Sequence, residues 1–416
     1  MTKLYLTVDN CFAGKRWVTP ESWAKILSEI GIRHVEASAD VELDPLHMDP
    51  TYLKRWEQQM RRAGSETGVR VANFFSGHGT YATTGLLHPD EGVRRRIREQ
   101  WIGAAARRAG RFGAGLGFFM HAVPQPDLDS PEAYALRREE LLDELALVAQ
   151  LGASIPELRN ISLEQMYSPQ QPPWRIEESL QLMAEVFRRS GGNPLYIALD
   201  VGHGGPQRRF FKPAAEAVEK AVESIRAGNY STNDSLWAGS PALHHRLTLL
   251  AEDKGKPSRE VVGEYLTLLE GHDYLFASEE DADPYAWIRR VGPYAPIIHL
   301  QQSDGIHSRH LPFTEETAEN GGIEPKKVVE ELAKGIAEAT GSGDFRGGYD
   351  SPASQSDSEG GSTGDLPEPV EEIYLTLELF TPTAAYPSKA IRDLAESVEQ
   401  WRAVIPKDGI EATSFL

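Results

Sequence analysis

Cysteine is almost missing from this chain: Cys11 is the single one in 416 residues. No internal disulfide can form, and a reducing compartment is the expected setting. Cys11 reads as a small apolar residue at the end of the first strand. Long apolar runs are missing too: nowhere does one approach the roughly 20 residues that span a bilayer. The opening MTKLYLTVD breaks at Asp9, too early for the apolar stretch of a signal peptide. Basic charge is in short supply, with 43 Lys and Arg against 62 Asp and Glu and a net charge of −19. Such a surface repels phosphate backbones and anionic lipid, which argues against nucleic-acid and membrane partners. A local basic pocket can still hold a small anion. The expectation is a cytoplasmic protein forming one large α/β domain over residues 1–416, with homo-oligomerisation left open.

The most informative stretch is 195–205, LYIALDVGHGG. A short apolar run ends in Asp200, and His203 follows after two small residues, as when a buried parallel strand delivers a carboxylate and an imidazole to its carboxyl end. Seven further runs read as strands, at residues 4–8, 34–37, 69–75, 113–120, 160–166, 296–302 and 373–380. Helical segments such as 91–111 and 132–151 separate them. Eight β–α repeats predict a (β/α)8 TIM barrel, with a doubly wound open sheet as the rival. Two regions interrupt the pattern. An insertion at about 210–283, between strands six and seven, contains a helix-like stretch at 258–269 and reads as a lid or an oligomer contact. A Gly/Ser-rich segment at about 341–368, before strand eight, is too poor in apolar residues to order itself and reads as a flexible loop.

Strands five to eight each carry one ligand-type residue near the carboxyl end: Glu164, Asp200, His299 and Glu378. In a barrel those ends converge on one face. Three carboxylates in one cleft repel unless a cation joins them, and this donor set suits Mn²⁺, Mg²⁺ or Co²⁺, with Zn²⁺ as an alternative. His78, in a Gly-rich loop, and Trp174, after strand five, are candidates for the pocket wall, as are Phe12 and Trp17. Arg208 and Arg209 are candidate phosphate contacts.

The order Glu, Asp-x-x-His, His and Glu on successive strands resembles the xylose isomerase-like sugar isomerase/epimerase superfamily, with the D-tagatose 3-epimerases as the nearest well-understood branch. The stretches MYSPQQPPW (166–174), HLQQSDG (299–305) and HLPF (310–313) look like the tetrulose-phosphate epimerase branch. The resemblance implies a single divalent metal held by Glu164, Asp200, His299 and Glu378, with Glu164 and Glu378 as the acid–base pair. It further implies that His203, Arg309 and Gln302 contact a sugar or sugar phosphate, with His307 or His310 standing in if Arg309 does not. The implied chemistry is proton transfer next to a carbonyl through an enediolate, giving an epimerase or aldose–ketose isomerase. Alternatives are an inosose dehydratase-like or C-glycoside-cleaving lyase of the same superfamily, an endonuclease IV-like enzyme, and a non-catalytic barrel that binds ligands.

Overall fold

Every one of the eight expected strands forms, and they close into a ring. In the computed structural model, which describes residues 2–77, 85–230, 236–318, 322–341 and 366–416, the strands are β1 (Lys3–Asp9), β2 (His34–Ser38), β3 (Arg70–Ser76), β4 (Gly115–Phe118), β5 (Ile161–Glu164), β6 (Tyr196–Asp200), β7 (Ile297–Leu300) and β8 (Glu372–Leu377). Each pairs in parallel with the next, and β8 returns to β1 with Lys3 opposite Glu372. The fold is thus a (β/α)8 barrel; the open-sheet alternative falls on that last pairing. A short β9 (Ile410–Glu411) adds antiparallel to the start of β1.

Apolar side chains on the outer faces of the strands meet the surrounding helices, where Trp23, Trp56, Trp101, Trp287 and Trp401 are all buried. Helix starts follow local chemistry: Thr19 and Ser22 form a capping box, and Asp49 accepts from the amides of Thr51 and Tyr52. The expected 91–111 helix is broken by a wide π-type turn at Ile97–Ile102, which buries Ile97, Trp101 and Ile102 together. The fourth strand starts later than expected because Gly113 has φ +61°, which extended backbone cannot adopt.

Inside the barrel a separate apolar layer joins Tyr5, Ala72, Phe75, Ala198, Ile297 and Tyr374. At the amino-terminal mouth Tyr5 stacks on Tyr374 at 5.3 Å, and His34 meets both rings edge-on. Arg159 closes this end, bridging Glu372 at 2.7 Å and the Tyr374 hydroxyl. The polar side chains lie above this plug, toward the carboxyl ends.

The insertion is a helical unit of Ala215–Arg226, Pro241–Glu252 and Ser258–Glu270. Leu243, Leu247, Val261 and Tyr265 are buried within it, and the Arg226 guanidinium ties its connections by bonding Ala251 O, Lys256 O and Ser258 Oγ. It packs beside the region after β4, where the Tyr274 hydroxyl donates to Leu128 O at 2.7 Å. Most of the Gly/Ser-rich segment, residues 342–365, lies outside the described residues, as does His78. No helix among the described residues is long and apolar enough to cross a membrane.

Burial pushes the pKa of His34, in the lower plug, down to about 4, and Arg159, Arg70 and Arg33 add to this against an opposing Glu372. The folded state therefore resists a proton that the unfolded chain accepts near pH 6.5. The resulting stability is present above pH 6.5 and is lost as pH falls toward 4. Urea denaturation at pH 7.5 and pH 5 should show His34→Gln narrowing the stability difference by roughly 1–2 kcal/mol. An unchanged difference would contradict this account of the plug.

Candidate active site

The carboxyl ends of β5 to β8 bring the four expected residues to one place. His299, fully buried on β7, lies between two carboxylates: its Nδ1 is 3.4 Å from Glu164 Oε1 and 3.3 Å from Glu378 Oε2. Glu378 follows directly on β8, and its amide still bonds Leu300 O at 3.1 Å, so the sheet fixes its backbone. The other ring nitrogen, Nε2, lies 2.8 Å from Glu36 Oε1 on β2. Asn73 on β3 donates to the second Glu36 oxygen at 2.6 Å. A carboxylate can only accept, so Nε2 carries the proton and Nδ1 faces the site. The edge of Phe75 supports the ring at 4.5 Å. Sequence reasoning missed Glu36 and Asn73. The interior parity of their strands was the available signal, since Glu36 pairs with Asn73 in the β2–β3 register.

Asp200 is held from two sides. Gln301 Nε2 donates to both of its oxygens, at 2.9 and 2.8 Å, and the Gly202 amide donates at 2.7 Å. Gly202 has to be glycine, because a Cβ there would lie 2.3 Å from Gln301 Cδ. His203 Nδ1 lies 2.7 Å from the Gln165 carbonyl, which leaves Nε2 as an acceptor 3.3 Å from Asp200 Oδ2. Ligand atoms converge in two triads that share Asp200: Glu164, Asp200 and His203 in one, and Asp200, His310 and Glu378 in the other. His203 therefore presents a ligand atom beyond the substrate contact expected of it. His310 enters the centre as well. Its backbone, at φ +51°, is anchored by its amide to Gln301 Oε1 at 2.5 Å, its ring stacks on Phe380, and its Nδ1 points at Glu378 Oε2 from 3.3 Å.

These groups open into a cavity of about 480 Å³, large enough for a small sugar derivative. Glu164, Glu378, His203 and His310 line it, with Phe75, Tyr167 and Phe380 as aromatic walls. Arg309 stands at the rim, paired with Asp304 Oδ2 at 2.8 Å. Other candidates lie elsewhere. Trp174 is fully buried against Phe210, away from the cavity lining, and Phe12 and Trp17 pack on each other. Gln302 spends both ends of its amide on the backbone of Ile323, so it is a loop brace. His307 pairs with Asp304 outside the cavity, and Arg208 lines a different one. Among the described residues, none of the insertion lines the cavity.

The electrostatics are those of a cluster that could hold a cation. Burial raises the Glu164 pKa, partly offset by the neighbouring His299. Burial also works to raise Glu378, but the charges of His299 and His310 outweigh it and hold this carboxyl at about 2. The same carboxylates overcome the opposing effect of burial on the imidazoles, lifting His299 well above its ordinary value and His310 to about 9. Asp9, at the end of β1, is raised well above the usual carboxylate range by burial and by the charges of Glu36 and Glu378. His299 Nδ1, His310 Nδ1 and Glu378 Oε2 are buried and have no hydrogen-bond partner of acceptable geometry. Buried polar atoms are normally satisfied, so three unsatisfied ones facing one another fit a bound divalent ion. The all-oxygen-and-nitrogen donor set suits such an ion.

The (β/α)8 fold has counterparts among solved structures. Among solved structures, a proposed xylose isomerase of Rhodospirillum rubrum ATCC 11170 matches 98% of this chain and 100% of its own, at a TM-score of 0.59 and 17% identity. D-psicose 3-epimerase from Clostridium cellulolyticum H10, solved with D-tagatose, matches 97% of this chain and 99% of its own, at 0.50 and 10%. A curated relative, D-erythrulose 1-phosphate 3-epimerase of Brucella abortus (strain 2308), is 25% identical over 305 residues, covering 72% of this chain and 75% of its own. That is the branch that the 166–174 and 299–313 stretches resemble. No protein-family profile matches the chain.

Two measurements follow from this geometry. Glu36→Gln should weaken Mn²⁺ binding by about 10–100-fold in an EPR titration, because the carboxylate orients the His299 ring and raises its basicity; an unchanged affinity would show that Glu36 does not act through His299. Ligation at His310, whose pKa is lifted against burial to about 9 by Glu378, must also displace its proton. Calorimetry in buffers of different ionisation enthalpy should show about one proton or more released per Mn²⁺ at pH 7. The apparent affinity should rise about tenfold per pH unit from 6 to 7.5. Absence of any buffer dependence would contradict this.

Proposed function

We propose that this protein is a divalent-metal-dependent ketose epimerase or isomerase of carbohydrate metabolism. The observation that carries the proposal is the placement of Glu164 and Glu378 on separate strands, both within 3.4 Å of the same His299 nitrogen and both lining the cavity. Metal ligands are assigned to Glu164, Asp200, His299 and Glu378, with His203 and His310 presenting further donor atoms to the same centre. Mn²⁺, Mg²⁺ and Co²⁺ fit the oxygen-rich set best. When bound, such an ion acts as a Lewis acid that stabilises the enediolate left when a proton leaves the carbon beside a carbonyl.

The residues of the chain do the rest. A substrate between the two glutamates meets one carboxyl pushed toward its protonated form and another held ionised. Glu378, held ionised, takes the proton from one face, and Glu164, whose burial favours a bound proton, returns one to the other, which inverts the carbon. Return to the neighbouring carbon would instead exchange aldose and ketose. Tyr167 packs against His203 at 4.9 Å and walls the sugar's apolar side, while His203 offers Nε2 to a hydroxyl. The curated relative's activity and the xylose isomerase-like fold support this reading. The single free cysteine suits a reducing, cytoplasmic setting.

The experiment is solvent deuterium exchange, with Mn²⁺ present, into a panel of ketoses and ketose phosphates that includes D-erythrulose 1-phosphate. Exchange at the carbon next to the carbonyl is expected, and Glu164→Gln and Glu378→Gln should each reduce it by about 10²–10⁴-fold. No exchange with any member of the panel would overturn the proposal.

A further inference from the structure

The outer wall of the active-site cavity carries a cation that the proton-transfer chemistry does not use. Lys15 lies in the loop after β1 with φ +65°, a conformation that L-residues other than Asn and Asp seldom take. The loop is held in place by its neighbour. Arg16 donates to the carbonyls of Pro382 at 2.7 Å, Ala385 at 3.2 Å and Thr381 at 3.5 Å, fastening the loop after β1 to the loop after β8. The fastening sets Lys15 Nζ 3.4 Å from Thr383 Oγ1, and Lys15, Thr381 and Thr383 line the cavity together.

Charge distinguishes Lys15 from Arg309, the other Lys or Arg lining this cavity. Arg309, also at this rim, is neutralised by Asp304, and among the described residues no carboxylate lies within ion-pair distance of Lys15. Asp40, the acidic residue of this outer region, is engaged by Ser76 Oγ and the Gly77 amide. An unneutralised ammonium beside two hydroxyls, in a cavity whose deep end holds two glutamates, makes a dipolar slot. Its inner end suits the neutral polyol and carbonyl portion of a substrate, and its outer end suits an anion.

We propose that Lys15, with Thr381 and Thr383, holds the phosphate group of a phosphorylated ketose whose carbonyl end reaches Glu164 and Glu378. This inference rests on the epimerase reading for the identity of the rest of the substrate. Lys15 is a binding residue and takes no part in proton transfer. It sets the preference for phosphate ester over free sugar.

Two independent readouts test it. In the first, kcat/KM for deuterium exchange is measured with D-erythrulose 1-phosphate and with D-erythrulose. The wild-type protein should prefer the ester by at least a hundredfold. Lys15→Ala should lower that ratio ten- to hundredfold, mainly through KM, and Lys15→Arg should restore most of it. In the second, inorganic phosphate is titrated into chelator-treated protein and followed by ³¹P line broadening. Lys15→Ala should weaken its binding at least tenfold with an unchanged thermal melting point; if that variant is unstable, Thr383→Val should weaken it in the same direction. A ratio untouched by Lys15→Ala, or phosphate binding insensitive to both variants, would overturn the proposal. Phosphate binding that depends on Lys15 without exchange on any ketose would keep the anion site and overturn the epimerase reading instead.

Discussion

The contact between Glu36 and His299 is the one on which the rest of the site depends. Both side chains are fully buried, 2.8 Å apart, at the centre of a ring of strands that contributes Asp9, Glu164, Asp200 and Glu378 to the same interior. Carboxylates concentrated in a low-dielectric space would drive one another to neutrality or push the barrel apart. His299 counters this by touching a carboxylate at each ring nitrogen, and burial with the charges of Glu36 and Glu378 shifts Asp9 toward its neutral form. Glu164 and Glu378 meet the ring in the orientation that this arrangement gives it. The ring of His299 is fixed before any metal or substrate arrives.

The resulting site is asymmetric, and the asymmetry is useful. Glu164 and Glu378 have the same chemistry and similar distances to His299, yet His310 lies against only one of them in the ion-pair network. A single extra imidazole thus places two otherwise equivalent carboxylates in different electrostatic surroundings. Gln301 plays a comparable part for Asp200, occupying both of its oxygens while its own carbonyl positions the His310 amide. The loop after β7 therefore adjusts two carboxylates at once.

Much of this was legible in the sequence, and the exceptions have physical causes. Apolar runs of the right length and spacing mark the strands, and a polar residue at the carboxyl end of four of them marks the face. What one-dimensional spacing does not reveal is which residues turn inward from strands without a conspicuous motif. Glu36, in the ordinary-looking HVEAS, and Asn73, in RVANFFS, become central only because the barrel closes. The candidates that the structure places away from the cavity share another cause. Trp174 and Gln302 follow strand ends, where chemistry was expected, but the loops there carry their own packing and hydrogen-bonding needs, and these side chains meet them. Lys15 could not be singled out, because its position depends on an arginine gripping carbonyls some 365 to 369 residues away.

The closure of β1 on β8 also constrains the order of events during synthesis. Lys3 to Val8 find their ladder partners at Glu372 to Leu377, and Lys3 and Leu4 on the other edge at Glu411 and Ile410. While the chain emerges from a ribosome, the first strand therefore waits with one edge unsatisfied until β8 has been made. Contacts so distant in sequence make ring closure slow and entropically costly. In that interval the exposed strand edge is a surface that chaperones, or other nascent copies, can reach.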